Sequence, residues 1–122
     1  MARTVLQPSA QHPITIEPAS ARVTVEAGGT PVADTVAALA LQEAAYPTVY
    51  YIPIADVRPE VLKPSDHTTY CPFKGDASYY SIATEEGELA DAVWYYSEPY
   101  PAVAAIAGHV AFYANRVDIT VG

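Results

Sequence analysis

Positive charge is scarce in this chain. Its 122 residues include six Lys or Arg against fourteen Asp or Glu, which gives a formal net charge of −8. Proteins that bind nucleic acids need a basic surface to displace counterions from the phosphates. The composition therefore argues against DNA or RNA as a partner, and against a polyphosphate substrate unless a metal supplies the positive charge.

Cysteine occurs once, as Cys71, which excludes an internal disulfide. A structural zinc site usually takes four ligands, often in Cys pairs, and the three His of this chain are scattered at His12, His67 and His109. His67 and Cys71 have a ligand-like spacing for a helix, but Pro72 argues against a helix there. We expect no metal site and no other cofactor.

Long apolar runs are also missing. No stretch approaches the roughly 20 apolar residues of a membrane span. The first residues, MARTVLQPSAQHP, lack the apolar segment of a secretory signal. We therefore expect a soluble, cytoplasmic protein without a membrane partner.

Tyrosine, in contrast, is abundant. The chain has ten Tyr against two Phe and one Trp, in a globular composition of 51% hydrophobic and 16% charged residues. The length suits one domain. Because Tyr joins a large apolar body to a polar tip, it suits half-buried β surfaces and ligand pockets.

Alternating and β-branched runs predict a mostly β protein. We expect a flexible arm over residues 1–13 and a single small domain over residues 14–122, with two short helices at 58–62 and 102–107. Residues 35–45 favour a helix by propensity and a strand by their β context. The predicted strands are 14–17, 22–26, 31–34, 48–52, 68–70, 76–83, 89–96 and a last hairpin of 109–114 with 117–121.

The chemically densest stretch is Thr68–Ser81, which reads TTYCPFKGDASYYS. In its Lys74-Gly75-Asp76 turn, Gly allows backbone N–H groups to face outward, and Lys adds a point charge for a carboxylate or other anion. Asp76 is a candidate for orienting Lys74 or acting as a base. The alternative is a solvated turn with no binding role.

Aromatic residues accompany this turn. In the predicted strand 89–96, Ala90, Ala92, Trp94 and Tyr96 share one face. An aromatic-walled pocket with a few polar groups is typical of a small-ligand site, and an aromatic core layer is the alternative. The predicted ligand-binding residues are Tyr70, Phe73, Lys74, Asp76, Tyr79, Trp94, Tyr96 and His109.

A second interpretation is enzymatic. Cys71 and His109 form a nucleophilic pair if the fold brings them together, and an imidazole is a natural acid or base near neutral pH. The candidate catalytic residues are Cys71, His109 and Asp76. The alternatives are that Cys71 is a small buried hydrophobic residue and that His109 is a structural hydrogen-bond donor.

Two blocks of the sequence, TYCPFKGDASYYS and AVWYYSEPYPAVAAIAGHVAFYANRVDI, resemble the bacterial domain-of-unknown-function family 427. The resemblance extends through HPITIEP, RVTVEAGG and VYYIPIADVRPEVLKPSDHTTY, and so covers almost the whole domain. The family carries a nucleotidyltransferase-like label without an established activity. Nucleotidyl transfer needs paired carboxylates for Mg²⁺ and a Gly-rich phosphate loop, and this chain has no Asp-x-Asp pair.

The resemblance implies a β-tent-like fold, in which curved antiparallel sheets meet at an angle. Cereblon's drug-binding domain and the B-type methionine sulphoxide reductases are similar to it. Several such proteins carry zinc on two Cys pairs, which this chain lacks, so the resemblance implies the fold without the metal. It also implies that the groove between the sheets, with aromatic walls, is the site.

Three functional hypotheses follow. The first is a small-molecule-binding domain with Trp94, Tyr96 and Tyr79 as walls and with Lys74 and His109 as polar anchors. The second is a small enzyme in which Cys71 or His109 reacts and Lys74 and Asp76 give electrostatic support. The third is a protein-interaction adaptor that uses exposed Tyr side chains.

Overall fold

The computed structural model describes residues 3–122 and consists of strands joined by turns and three short 3-10 helices. The 3-10 helices are Ile54–Asp56, Pro59–Val61 and Pro101–Ile106. The ten strands of this range are β1 (Ile14–Pro18), β2 (Val23–Ala27), β3 (Thr30–Thr35), β4 (Leu39–Glu43), β5 (Val49–Pro53), β6 (Leu62–Cys71), β7 (Gly75–Thr84), β8 (Gly87–Tyr95), β9 (His109–Phe112) and β10 (Asp118–Val121).

The strands form two antiparallel sheets. The larger sheet has seven strands in the order β1-β4-β5-β9-β8-β7-β6, and the smaller has three in the order β10-β2-β3. The prediction of one small, mostly β domain with minor helical content is confirmed. None of the helical segments in residues 3–122 is long and apolar enough to cross a membrane.

The hairpin of β2 and β3 shows how the sequence dictates the smaller sheet. Val23, Val25 and Ala27 are buried, whereas the residues between them point outward, as the period of a half-buried strand requires. Gly28 and Gly29 connect the strands with φ angles of 55° and 81°. Glycine adopts these left-handed conformations without steric cost, so the hairpin closes here.

The ambiguous segment 35–45 contains strand β4 and no helix. β4 lies between β1 and β5 and pairs with both. Hydrogen-bonding partners on both sides outweigh the moderate helix propensity of its Ala, Leu, Gln and Glu residues, since propensity is a weak term that tertiary context overrides.

The predicted last hairpin is wrong. β9 lies between β5 and β8 in the larger sheet, whereas β10 pairs with β2 in the smaller one. Between them the chain makes a turn in which the Arg116 N–H donates to the Tyr113 carbonyl at 2.9 Å. This turn carries the chain from one sheet to the other instead of folding it back on itself.

The predicted helix at 58–62 is also wrong in extent. Only Pro59–Val61 is helical, and β6 begins at Leu62 and continues through Pro64. β6 is the outer strand of its sheet, where a proline is tolerated because one edge of the strand needs no hydrogen-bond donors.

A bulge in β8 breaks the predicted alternation. Asp91 has a φ angle of 51°, and its N–H donates to the Ser81 Oγ at 3.0 Å. Ala92 and Val93 are consequently both fully buried on the side of the smaller sheet, and Trp94 packs on the other side. Ala92 therefore does not share a face with Trp94 and Tyr96 as predicted.

Two clusters of buried side chains lie on the two faces of the larger sheet. The aliphatic cluster packs between the sheets around Val23, Val25, Ile52, Ile82 and Val93. The aromatic cluster lies on the opposite face. It contains Leu41, Tyr51, Ala77, Tyr79, Tyr96, Val103, Ile106 and Ala111, with Trp94 packed against it.

Candidate functional site

A cavity of about 220 Å³ opens into the aromatic cluster. Its walls come from β4, β5, β7, β8, the loop before β5, the turn before β7 and the residues that follow β8 and β9. Of the eight predicted ligand-binding residues, the structure brings four together here: Lys74, Tyr79, Trp94 and Tyr96. The other lining residues are Leu41, Glu43, Tyr46, Pro47, Val49, Tyr51 and Tyr113. We refer to this space as the Lys74 cavity.

An ion pair forms the polar end of the Lys74 cavity. The Lys74 Nζ donates to the Glu43 Oε1 at 2.5 Å, and the side chains are 8% and 19% exposed. The second oxygen of Glu43 accepts from the His12 Nε2 at 2.7 Å. Since a carboxylate only accepts, the His12 Nε2 carries a proton. Glu43 thus joins two basic side chains that are distant in sequence.

Local backbone geometry directs Lys74 inward. The Lys74 N–H donates to the Cys71 carbonyl at 3.2 Å, which closes the turn between β6 and β7. Gly75 follows with a φ angle of 111°, and a methyl group there would lie 3.5 Å from the Glu98 carbonyl oxygen. Since 3.5 Å is an ordinary contact distance, it is the positive φ angle and not crowding that favours glycine here. The predicted turn thus buries Lys74 and does not leave it solvated.

The charge of Glu43 is held by its two partners. Burial raises the pKa of the Glu43 carboxyl, but the hydrogen bonds from Lys74 and His12 outweigh burial and hold that pKa below its ordinary value. The carboxylate is therefore ionised at neutral pH, and the Lys74 cavity contains a balanced pair of charges at one end.

Phenol and indole groups provide the remaining polar atoms. The Trp94 Nε1 donates to the Tyr51 hydroxyl at 3.3 Å, and the Tyr79 hydroxyl lies 2.9 Å from the Thr69 Oγ1. Burial raises the pKa of Tyr51 to about 12 and also raises the pKa of Tyr96. These phenols stay protonated at neutral pH.

Three further predicted residues lie outside the Lys74 cavity, beside the N-terminal segment. The Asp76 carboxylate accepts two hydrogen bonds from Arg3, which lower the pKa of Asp76, and the Arg3 guanidinium lies 3.8 Å from the centre of the Tyr70 ring. Phe73 stacks on His12 with ring centres 4.2 Å apart. Asp76 therefore neither orients Lys74 nor faces the cavity.

His109 does not meet Lys74 either. It lines a separate cavity of about 280 Å³ with Tyr80 and Tyr95, two residues that pack against the aliphatic cluster. Its Nδ1 donates to the Ala107 carbonyl at 2.9 Å, as in the structural alternative. Lys74 and Trp94 line one cavity and His109 lines another, so His109 is not a polar anchor of the Lys74 cavity as predicted.

Cys71 is half-buried at the margin of the aromatic cluster, and its Sγ lies 3.9 Å from the Lys74 Nζ. His109 lines the other cavity, so the predicted nucleophilic pair of Cys71 and His109 does not form. In the part of the chain that the structure describes, no group of three His, Cys, Asp or Glu side chains is arranged to hold a metal ion.

Sequence reasoning missed Glu43 and His12, which complete the polar end of the Lys74 cavity. Glu43 is the last residue of β4 and pairs with Ile14 in β1, so it lies beside the N-terminal segment that carries His12. The sequence offered one indirect clue: if Lys74 is buried, its charge requires an acidic partner. That signal does not identify which of fourteen acidic residues is the partner.

The fold and the cavity define a small antiparallel β protein with a polar, ion-paired end to an aromatic cavity. The chain belongs to the family described as Domain of unknown function (DUF427), whose model matches residues 15–122. The match includes Glu43 and Lys74, whereas His12 lies just before it. No curated protein matches the chain.

Proposed function

We propose that this protein binds a small, mainly apolar molecule in the Lys74 cavity and holds one oxygen acceptor of that molecule, a carbonyl or carboxylate, at Lys74. The observation that carries the proposal is the buried Lys74 ammonium at the end of an aromatic cavity. An ammonium has three donors. The Glu43 Oε1 takes one at 2.5 Å and the Cys71 Sγ takes a second, weaker one at 3.9 Å, which leaves one donor for the ligand. Tyr96 lines the same cavity, and we assign its hydroxyl as a second donor to this acceptor.

The size and charge of the Lys74 cavity limit the kinds of ligand that fit it. A volume of about 220 Å³ is below the roughly 300 Å³ at which ligand pockets for drug-sized molecules begin. Because Glu43 neutralises Lys74, the site does not select strongly for an anion. A flat ring between Tyr and Trp walls, with one carbonyl group, matches these features.

The geometry gives less support to the enzymatic alternatives. Cys71 and His109 face different surroundings, so neither activates the other. Nucleotidyl transfer requires paired carboxylates around Mg²⁺, whereas the Lys74 cavity contains a single carboxylate, which is occupied by Lys74 and His12. Binding without turnover is the simpler interpretation of this arrangement.

The test is calorimetric titration of the full-length protein with benzamide and benzoate. Lys74→Met is expected to weaken binding about tenfold or more, because a hydrogen bond from a charged donor contributes about 1.5–3 kcal/mol. Lys63→Met is the matched control, since Lys63 is the other lysine and is exposed. The control should bind like the native protein.

The double variant Lys74→Met with Glu43→Gln removes both charges, and so avoids leaving Glu43 buried without its main partner. The double variant should fold, and it should bind both compounds as weakly as Lys74→Met alone does. Equal affinity of the native protein and both Lys74 variants, or no binding of either compound to the native protein, would overturn the proposal. In the second case the exposed Tyr46 and Tyr113 would favour the adaptor hypothesis.

A further inference from the structure

A second cavity adjoins the Lys74 cavity. Its volume is about 260 Å³, and we refer to it as the tail cavity. The two cavities share five lining residues: Tyr46, Pro47, Val49, Trp94 and Tyr113. The two cavities therefore meet at these residues, and the centres of the Trp94 and Tyr113 rings lie 4.5 Å apart.

The tail cavity lies where two strands separate. β5 pairs with β9 only at Ile52–Val110 and Pro53–His109, whereas the start of β5 pairs with β4 on its other side. Tyr50 and Phe112, on the unpaired start of β5 and end of β9, line the tail cavity together with Ile119 of the smaller sheet. The sheet thus has an opening beside the proposed site.

The two cavities differ in the charge of the residues that line them. Lys74 and Glu43 lie at one end, and the tail cavity contains no acidic or basic side chain. Each cavity alone is smaller than the roughly 300 Å³ of an ordinary ligand pocket, whereas both together exceed it. A polar end followed by an uncharged extension matches a molecule with a polar head and an apolar tail.

We infer, on the basis of the proposed function, that one elongated ligand occupies both cavities. Its oxygen-bearing head is held at Lys74, and a linear alkyl or alkyl-aryl tail passes beside the Trp94–Tyr113 pair and ends near Ile119. The ligand class is therefore an amphipathic amide or carboxylic acid with an apolar tail, and a compact ring alone fills only the head position.

A homologous series tests this inference. Benzamide and its 4-ethyl, 4-butyl and 4-hexyl derivatives are titrated into the native full-length protein by calorimetry. Affinity is expected to rise about fourfold per methylene, from about 0.8 kcal/mol per buried CH₂, until the tail cavity is full. The hexyl compound should therefore bind more than tenfold more tightly than the ethyl compound.

Two substitutions locate the tail. Ala114 is exposed and lines only the tail cavity, so Ala114→Trp should weaken the hexyl compound at least tenfold and leave benzamide unchanged. Ile119→Trp should fill the same space from the smaller sheet and have the same effect. Ala104→Trp is the control, because Ala104 is exposed and lines neither cavity.

The outcomes separate this inference from the proposed function. Benzamide binding with no gain from longer tails, or with equal losses for benzamide and the hexyl compound in Ala114→Trp, would overturn the elongated ligand and leave the Lys74 site intact. Absence of binding by every member of the series would overturn both.

Discussion

The two faces of the larger sheet are covered by different kinds of side chain. The face toward the smaller sheet packs aliphatic side chains such as Ile82 and Val93, both 0% exposed. The opposite face packs Tyr51, Tyr79 and Tyr96 around the Lys74–Glu43 pair. The first face contributes stability by removing apolar surface from water. The second face contains hydroxyl groups, charged groups and a cavity, which are features that ligand-binding sites share.

Single strands contribute side chains to both clusters. In β7, Tyr79 belongs to the aromatic cluster and Ile82 to the aliphatic one. Successive side chains of a strand point to opposite faces, so one strand supplies both. A substitution on one face should therefore affect stability, and a substitution on the other should affect the polar site.

The largest stability effect is expected in the aliphatic cluster. Ile82→Ala removes a fully buried side chain and should lower the free energy of unfolding by about 2–5 kcal/mol, measured by urea denaturation. The exposed Ile54 is the matched control, and Ile54→Ala should change stability by no more than about 0.5 kcal/mol. Similar losses in the two variants would show that the face between the sheets is not the main source of stability.

An intermediate effect is expected for the ion pair. Glu43→Gln keeps the shape of the side chain but removes its charge, and should cost about 1.5–3 kcal/mol at neutral pH, the contribution of a charged hydrogen bond. Glu17→Gln, on an exposed glutamate of β1, should cost much less. Urea denaturation of the three proteins measures both differences.

The same variant predicts a pH dependence. The pKa of Glu43 is held below its ordinary value of 4.5 in the folded protein, so the folded state favours the ionised form. The stabilisation is complete above about pH 4.5 and is lost as the pH falls through the folded-state pKa. The stability difference between the native protein and Glu43→Gln should therefore shrink below pH 4.5. A constant difference down to pH 3 would contradict the ion pair.

The smallest effect is expected for the surface pair of Arg3 and Asp76. Both side chains are more than half exposed, and exposed ion pairs contribute little because water and salt screen them. Arg3→Ala should change the melting temperature by no more than Arg22→Ala does. Arg22→Ala is the comparison because it breaks a similar exposed pair with Asp34. If Arg3→Ala instead weakens benzamide binding, the N-terminal segment acts on the Lys74 cavity.

Most of the strands could be predicted because their signals are local. The alternation in Val23–Ala27 and the β-branched and aromatic run in Val49–Pro53 predict strands without knowledge of their partners. The last two strands were also recognised, but their pairing was wrong. Which strand pairs with which depends on contacts between distant residues, and a short connection such as 113–117 is compatible with a hairpin or with a change of sheet.

The candidate site was predictable to a similar degree. Lys74, Tyr79, Trp94 and Tyr96 were expected together and line one cavity, because the motif-bearing strands β7 and β8 are neighbours in sequence and in the sheet. His109 is on a strand next to β8 as well, but it is the first residue of that strand and lines a different cavity. Strand order alone does not reveal this.

The amino-acid sequence by itself determined the class of protein, since residue periodicity, turn residues and the two motif blocks are local properties of the chain. It also determined that Lys74 lies in a turn and precedes a glycine. Only the tertiary structure decided that Lys74 is buried against Glu43, 31 residues away, and that His12 binds the second oxygen of Glu43. The physical reason is that a buried charge is stabilised by whichever opposite charge the sheet topology brings to it, and that topology is a property of the whole chain.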